Sequence, residues 1–337
     1  MTFTPTIRDV ARKAEVGIGT VSRVLNNSPS VSEVTRQRVL DVIEELNFTP
    51  NPIARRLSSG TTHTVAIILP NLTSPSLVER LRGVQSALAD SDYALVLYSA
   101  ETTERLEELF NTIPNKANAD GILIVSIPPT DEHLEHFSKS GVPIVLIDVK
   151  EPQLDHVFVD DTIGGEIATQ HLIDLGHTNI AFISDPIDTL FSFGAMKNRL
   201  QGYKKALRKA GIKFNKGFHV EGLPQAEIVK NLTKDLLRTP NAPTAIFAAS
   251  DAHAIGVIYA ARELGIHIPK ELSVIGFDDI RDAEYLNLTT VRQPLFESGH
   301  DGIDLLFSTM KQQNGNKPRS IKQDLEIIRR GTTATLQ

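Results

Sequence analysis

From Thr64 onward, nine short, largely apolar runs recur along the chain, at 64–70, 94–99, 121–126, 143–148, 156–160, 179–184, 218–222, 244–250 and 272–279, and LTTVRQP at 288–294, with the helix after it, is expected to cross back to the first lobe. Between most of them lie segments with apolar residues at helical spacing, at 78–88, 104–110, 132–138, 164–175, 199–210, 228–237 and 252–264. A strand that is apolar at every position has both faces covered, and strands alternating with helices form parallel sheets sandwiched between those helices. Strands in this number are too many for one unbroken sheet in a chain of this length. The expectation is an α/β fold with two similar parallel-sheet lobes and a ligand between them, at the carboxyl ends of the strands. The first lobe is expected at about 61–162 with a returning segment at 293–320, and the second at about 163–292 with 321–332.

Ahead of Thr64 the rhythm is different. A helix is predicted over Ile7 to Ala14, with Thr6 and Asp9 spaced as a capping pair. A tight break at Glu15, Val16 and Gly17 precedes a second short helix from Ile18 to about Asn26, and a third begins after Ser32. Val10, Ala11, Ala14, Val21, Val24, Leu25, Val39, Val42, Ile43 and Leu46 fall on facing stripes that would form one small core. Two helices of under ten residues joined by a glycine-containing turn make a helix-turn-helix, whose second helix enters the DNA major groove. Ile18, Gly19, Ser22, Arg23 and Asn26 are left facing outward. Pro50 and Pro52 then break the helical pattern, so 1–50 is the headpiece. Residues 51–60, with the basic stretch Asn51 to Leu57 and its one exposed aliphatic, form a hinge helix and linker.

The net charge of −6 has the wrong sign for a DNA binder until it is divided. Residues 1–60 carry eight Lys and Arg against six acids, a net of +2, which leaves −8 for the remainder. Only the headpiece has a sign suited to phosphates. There are no cysteines, which excludes thiol catalysis, zinc fingers and disulfides and fits a reducing cytosol. No run of signal-peptide length and no stretch of eighteen apolar residues occurs, which argues against export and membrane insertion. A cytoplasmic protein without metal or cofactor is expected.

Eight stretches then carry a resemblance: IRDVARKAEV, TVSRVLNN, VSEVTRQRVLDVIEELNFTPNPIARRL, HLIDLGHTNIAFIS, NRLQGYKKAL, SDAHAIGV, VIGFDD and LTTVRQP. In this order, over nearly the whole length, they resemble the lactose-repressor (LacI/GalR) family of bacterial transcription regulators. The resemblance implies a headpiece joined to a two-lobed, periplasmic-binding-protein-like domain, a homodimer on near-palindromic operator DNA, and a small sugar-like effector that controls operator affinity. It places Ile18, Gly19 and Arg23 against base edges, with Arg23 suited to guanine through its planar fork. Thr6, Ser22, Asn26 and Thr35 correspond to phosphate contacts; Gly17, Thr20, Asn51, Ala54 and Arg55 belong to the same DNA-facing set. Leu57 matches an aliphatic wedge inserted into the minor groove. Gly17 stands where the family often has a serine, and Gly19 lies in the first turn of the recognition helix, where glycine weakens a helix.

In the cleft, the resemblance gives Arg199 and Asp278 the effector's hydroxyls, a planar donor paired with a two-lobed acceptor. Asp148, Asp160 and Ser250 close strands that face the same crevice, and Phe191 and Phe193 offer rings for an apolar sugar face. Ser76, Leu77, Leu223 and Pro224 stand where the family often has aromatics. No leucine heptad follows LEIIRRGTTA, so a dimer rather than a tetramer is expected.

Other readings weigh less. Gly17 to Ser22 lacks the last glycine of a dinucleotide fingerprint and follows a helix instead of a strand. His133 and His136 are read as a solvated helix face. Asp251 is read, at even weight, as a simple helix cap. The pairs Asp160–Asp161 and Asp278–Asp279 are poor couples for glycoside hydrolysis, because neighbours on a strand point oppositely. A transport protein would lack the DNA headpiece, and an enzyme would need an acid/base couple or metal shell that the sequence does not offer.

Overall fold

The computed structural model describes residues 5–25, 27–48, 61–187, 194–311 and 317–336. The chain divides into two compact units, residues 1–62 and 63–337.

Among the described residues the small unit holds three helices, α1 (Ile7–Lys13), α2 (Ile18–Leu25) and α3 (Glu33–Glu45). Asp9 receives the Thr6 backbone N–H at 3.0 Å and the Thr6 hydroxyl at 2.7 Å, closing the first turn of α1. These bonds, the hydroxyl first, hold the Asp9 carboxyl below its ordinary pKa. Glu15 adopts φ +53°, and the Val16 N–H turns back to the Ala11 carbonyl at 3.0 Å, which reverses the chain before α2. Val10, Ala11, Ala14, Val21, Val24, Val39 and Val42 are buried together, with Leu25, Ile43 and Leu46 packed against them. Phe48 closes this core from beyond α3.

The large unit contains two six-stranded sheets. The first uses β1 (Thr64–Leu69), β2 (Ala94–Ser99), β3 (Gly121–Val125), β4 (Ile144–Ile147), β5 (Asp155–Phe158) and β11 (Ser320–Lys322), in the order β2-β1-β3-β4-β5-β11, all parallel. The second uses β6 (Ile180–Ser184), β7 (His219–Glu221), β8 (Ala245–Ala248), β9 (Ser273–Asp278), β10 (Thr289–Arg292) and β12 (Glu326–Ile328), ordered β7-β6-β8-β9-β10-β12. Only β12 runs antiparallel, against β10. The two orders are the same. Each reverses direction between its first and third strand, and that reversal opens a crevice at the strands' carboxyl ends.

The helices are α4 (Pro75–Leu88), α5 (Thr103–Thr112), α6 (Asp131–Ser140), α7 (Asp161–Asp174), α8 (Gly194–Lys209), α9 (Ala226–Leu237), α10 (Asp251–Leu264), α11 (Arg281–Tyr285) and α12 (Leu295–Lys311). Apolar clusters fill both sides of each sheet, one pair around β1, β3 and β4 and a second around β6, β8 and β9. In each lobe two helices cross at glycine. A methyl group on Gly83 of α4 would lie 1.9 Å from the Phe296 carbonyl oxygen, and one on Gly299 of α12 would lie 1.9 Å from that of Arg80. In the second lobe Gly165 of α7 faces the Arg199 carbonyl, and Gly202 of α8 faces that of Thr162, both at 2.1 Å. Only a hydrogen at these positions lets the backbones approach so closely.

Several expectations need correction. Strands β11 and β12 carry too few apolar residues to register as runs, because both are short and sit at sheet edges. As a result Ile321 and Lys322 belong to the first sheet, and that lobe's returning segment extends past residue 320. Helix α7 starts at Asp161, three residues earlier than its apolar pattern, because Asp160 caps it by accepting the Ile163 N–H at 3.1 Å. His133 is buried, not solvated: its Nδ1 accepts the Thr130 N–H at 3.1 Å and its Nε2 lies 3.0 Å from Glu107. Asp251 is no simple cap either. It is wholly buried and accepts from the Thr290 hydroxyl at 2.6 Å and the Ile280 N–H at 2.9 Å. Among the described residues, no helix is long and apolar enough to cross a membrane.

Candidate functional site

In the headpiece, α2 buries Val21 and Val24 and turns Ile18, Gly19 and Arg23 outward; Thr20 and Ser22 are half-buried. Ile18 is 47% exposed. Neither Gly17 nor Gly19 has a positive φ, and a methyl group on either would meet nothing within 4 Å. Conformation and packing therefore do not require glycine at these two positions. What glycine does supply is a stretch of bare backbone beside Ile18, open to close approach by a ligand. Thr35 sits in the first turn of α3, its hydroxyl 2.9 Å from that of Ser32, where unpaired helical N–H groups favour an anion. Arg36 is committed elsewhere, bonding Asn27 at 2.8 Å and the Ser28 carbonyl at 2.6 Å to hold the loop between α2 and α3. Asn26, Asn51, Ala54, Arg55 and Leu57 lie outside the described residues.

Gly19→Ala is expected to stabilise the headpiece by up to about 1 kcal/mol, since alanine is the better helix former and the site is open. Thermal denaturation of the variant beside the parent checks this.

In the large unit, the charged residues gather where the strands of both lobes end. Arg199, on α8, is buried; its Nε donates to Asp161 at 2.8 Å and its Nη1 to the Ala249 carbonyl at 2.6 Å. Its guanidinium lies 3.6 Å from the centre of the Phe277 ring, a cation–π contact. Asp278 stands 3.8 Å away as an ion pair, and its Oδ1 accepts from Gln293 Nε2 at 2.5 Å. Gln293 in turn accepts from Arg80 at 3.0 Å, and Arg80 pairs with Asp148 at 2.8 Å. Asp148 also receives the Ser126 hydroxyl at 2.7 Å. The chain of contacts runs from the ends of β3 and β4 through Gln293, in the segment joining the lobes, to the end of β9.

The backbone there is strained. Ser126 (φ +58°), Asp148 (+66°), Asp278 (+115°) and Asp279 (+58°) occupy the left-handed region without being glycine. Such conformations cost on the order of 1–3 kcal/mol each and persist only where surrounding bonds fix them. Here Arg80 and Ser126 fix Asp148, Gln293 fixes Asp278, and Arg292 and Arg330, each at 2.7 Å, fix Asp279. Burial pushes the Asp278 carboxyl up to about 6 against the pull of Arg199 and Arg80. Burial likewise raises Asp161, and Arg199 beside it opposes the rise. Burial also works against the charge of Arg199, but Asp161 and Asp278 outweigh it and hold that pKa above the ordinary value.

Of the residues expected in this cleft, Arg199, Asp278 and Asp148 are joined in one network. Asp160 and Ser250 serve as helix caps. Asp160 spends one oxygen on the start of α7 and turns the other toward Lys322 at 3.8 Å, leaving the Arg199 contact to its neighbour Asp161. Ser250 caps α10, accepting the His253 N–H at 3.3 Å while its hydroxyl faces His253 Nδ1 at 2.7 Å. Phe191 and Phe193 lie outside the described residues. The sequence reading missed Arg80, Asp161 and Gln293.

The N-terminal residues 6–51 match the sequence profile of the bacterial regulatory proteins of the lacI family, and residues 169–333 match that of a periplasmic binding protein-like domain. Catabolite control protein A of Priestia megaterium is 36% identical over 313 residues, covering 91% of this chain and 93% of that protein. The chain belongs to the lacI family of bacterial regulatory proteins. Among solved structures of the family, a lac repressor dimer bound to operator and the anti-inducer ONPF superposes with a TM-score of 0.85 at 25% identity, covering 98% of this chain and 100% of that one. The transcriptional regulator CelR in complex with cellobiose superposes with a TM-score of 0.70 at 30% identity, covering 97% and 99%. This family member is thus a transcriptional regulator of two-lobed α/β architecture with a helix-turn-helix headpiece.

Proposed function

We propose that this regulator is a repressor that binds a near-palindromic operator as a homodimer and changes its hold on DNA when a sugar-like effector enters the cleft between its lobes. The observation that carries the reading is a bare, exposed recognition face at Ile18, Gly19 and Arg23, in one chain with a buried Arg199–Asp161–Asp278 cluster at the strand ends. Base edges would meet Ile18, Gly19 and Arg23, and phosphates would meet Thr6, Gly17, Thr20, Ser22, Asn26 and Thr35. In the minor groove Leu57 would serve as the wedge, and Asn51, Ala54 and Arg55 would belong to the same DNA-facing set. Action on chromosomal DNA puts the protein in the cytoplasm. The operator-bound lac repressor dimer and the cellobiose-bound regulator support both halves of this reading by similarity.

A homodimer is supported by similarity to the operator-bound lac repressor dimer. Two-fold protein symmetry would then match two half-sites.

Selection from random double-stranded DNA with the purified chain, with candidate sugars absent and present, tests the proposal. A recovered site with two-fold symmetry, weakened several-fold by Arg23→Ala at one base position per half-site, is the expected result. Recovery of no preferred sequence under any condition overturns it.

A further inference from the structure

We propose that Asp185 is an effector contact, and that it makes the cleft select a polyol that is uncharged or bears an ammonium group over an anionic ligand such as a sugar phosphate. The inference rests on the cleft reading above and narrows it to a class of ligand.

Asp185 immediately follows β6, whose neighbours in the sheet are β7 on one side and β8 on the other. It therefore stands at the point where the strand order of the second lobe reverses, the position at which open α/β sheets bind ligands. The Ser184 hydroxyl donates to the Asp185 carbonyl at 2.9 Å and fixes the backbone there. The carboxyl itself makes no hydrogen bond to any described residue, although its side chain is only 28% exposed.

The groups around Asp185 are already engaged. His253 Nε2 is 3.8 Å away but donates to the Gly222 carbonyl at 3.1 Å, while Nδ1 accepts from the Ser250 hydroxyl at 2.7 Å. That ring is buried, and burial pulls its pKa down to about 4, so it stays neutral. Arg199 acts on Asp185 electrostatically, but its Nε and Nη1 serve Asp161 and Ala249. Burial accordingly pushes the Asp185 carboxyl up to about 6. A carboxylate partly withdrawn from water and without a protein donor gains from a hydrogen bond; a ligand hydroxyl or ammonium would supply one.

The charge balance gives the same answer. Four carboxylates, Asp148, Asp161, Asp185 and Asp278, face two guanidiniums, Arg80 and Arg199. A phosphate brought into this cluster would add to a surplus of negative charge, whereas a neutral polyol would only donate hydrogen bonds into it.

Thermal-shift and calorimetric titrations of the full chain with ribose, cellobiose, glucosamine, ribose 5-phosphate and glucosamine 6-phosphate test the proposal. At least one unphosphorylated sugar should bind, ten-fold or more tightly than any phosphate. Asp185→Asn should weaken that ligand at least ten-fold and narrow the discrimination against phosphate. The unliganded variant should melt above the parent at pH 7.5, by a margin that shrinks as the pH falls through 6 and disappears only below the unfolded carboxylate pKa near 3.8. The sign follows from a folded pKa above the unfolded one, which makes ionisation of Asp185 oppose folding as pH rises through 6.

Tightest binding by a phosphate overturns the proposal, as does a panel in which nothing binds. So does a sugar whose affinity Asp185→Asn changes less than two-fold while Arg199→Ala removes it, and in that case the cleft reading stands. A sugar insensitive to Arg199→Ala, or to Arg199→Lys if the alanine variant does not fold, overturns the cleft reading itself.

Discussion

Replacing Arg199 by alanine is expected to abolish the effector response and to lower the melting temperature of the large unit by roughly 10 °C. The side chain is buried with two of its nitrogens bonded and its plane over Phe277, so its loss is more than the loss of a ligand contact. Truncation would leave the Asp161 carboxylate buried without its partner and the Ala249 carbonyl without its donor. Breaking a buried ion pair from one side costs about 3–5 kcal/mol, because the remaining charge is uncompensated. Protonation relieves that charge. Asp161 and Asp278 both sit above the ordinary carboxylate range already, and removing the cation raises them further. The deficit should therefore be smaller at pH 5 than at pH 8, as melting curves at the two pH values would show. Equal deficits at both would mean that lost packing on Phe277 dominates. Arg199→Lys keeps the charge but not the planar fork, and should recover part of the stability and little of the effector response.

Gly202→Ala is expected to destabilise the second lobe and to weaken effector binding, although alanine favours an isolated helix by up to about 1 kcal/mol. The added methyl group would lie 2.1 Å from the Thr162 carbonyl oxygen and 2.6 Å from the Glu166 nitrogen, both on the backbone of α7. Rigid backbone cannot yield as a flexible side chain would, so the two helices must separate. Overpacking of this kind costs about 1–3 kcal/mol, which exceeds the propensity gain. Arg199 lies three residues before Gly202 on α8, while Asp161 begins α7, so the separation opens the Arg199–Asp161 contact directly. Chemical denaturation and ligand titration of the variant read the two losses. The substitution at Gly19, where nothing stands within 4 Å, should have the opposite sign on stability.

Much of this architecture was legible in the sequence because parallel strands buried on both faces are apolar throughout. Every such run forms a strand, and besides β10, read as part of a crossing segment, only the short edge strands β11 and β12 escaped, where exposure permits polar residues. The headpiece was readable from apolar stripes at helical spacing, apart from Phe48, which lies beyond the periodic segment. Arg199 and Asp278 could be picked out through their motifs. Asp161 could not, since nothing local tells which member of an aspartate pair caps a helix and which turns inward. Arg80 resembles any arginine on an amphipathic helix, with Arg82 two residues on and exposed. Its burial depends on Asp148 and Gln293, which come from distant stretches of the chain. Asp185 carries no motif at all, and its significance appears only when β6 is placed between β7 and β8.

The interleaving of the two lobes bears on how such a chain emerges from a ribosome. The headpiece core closes within residues 7–48, a continuous stretch that can collapse as soon as it is free. Neither lobe has that option. The first has to wait for α12 and β11, which end at Lys311 and Lys322, and the second for β12, which ends at Ile328. Both are completed within a few residues of each other, late in synthesis. A nascent chain released early would therefore present a finished DNA reader on an unfinished sensor, a product that degradation has reason to remove before it reaches an operator.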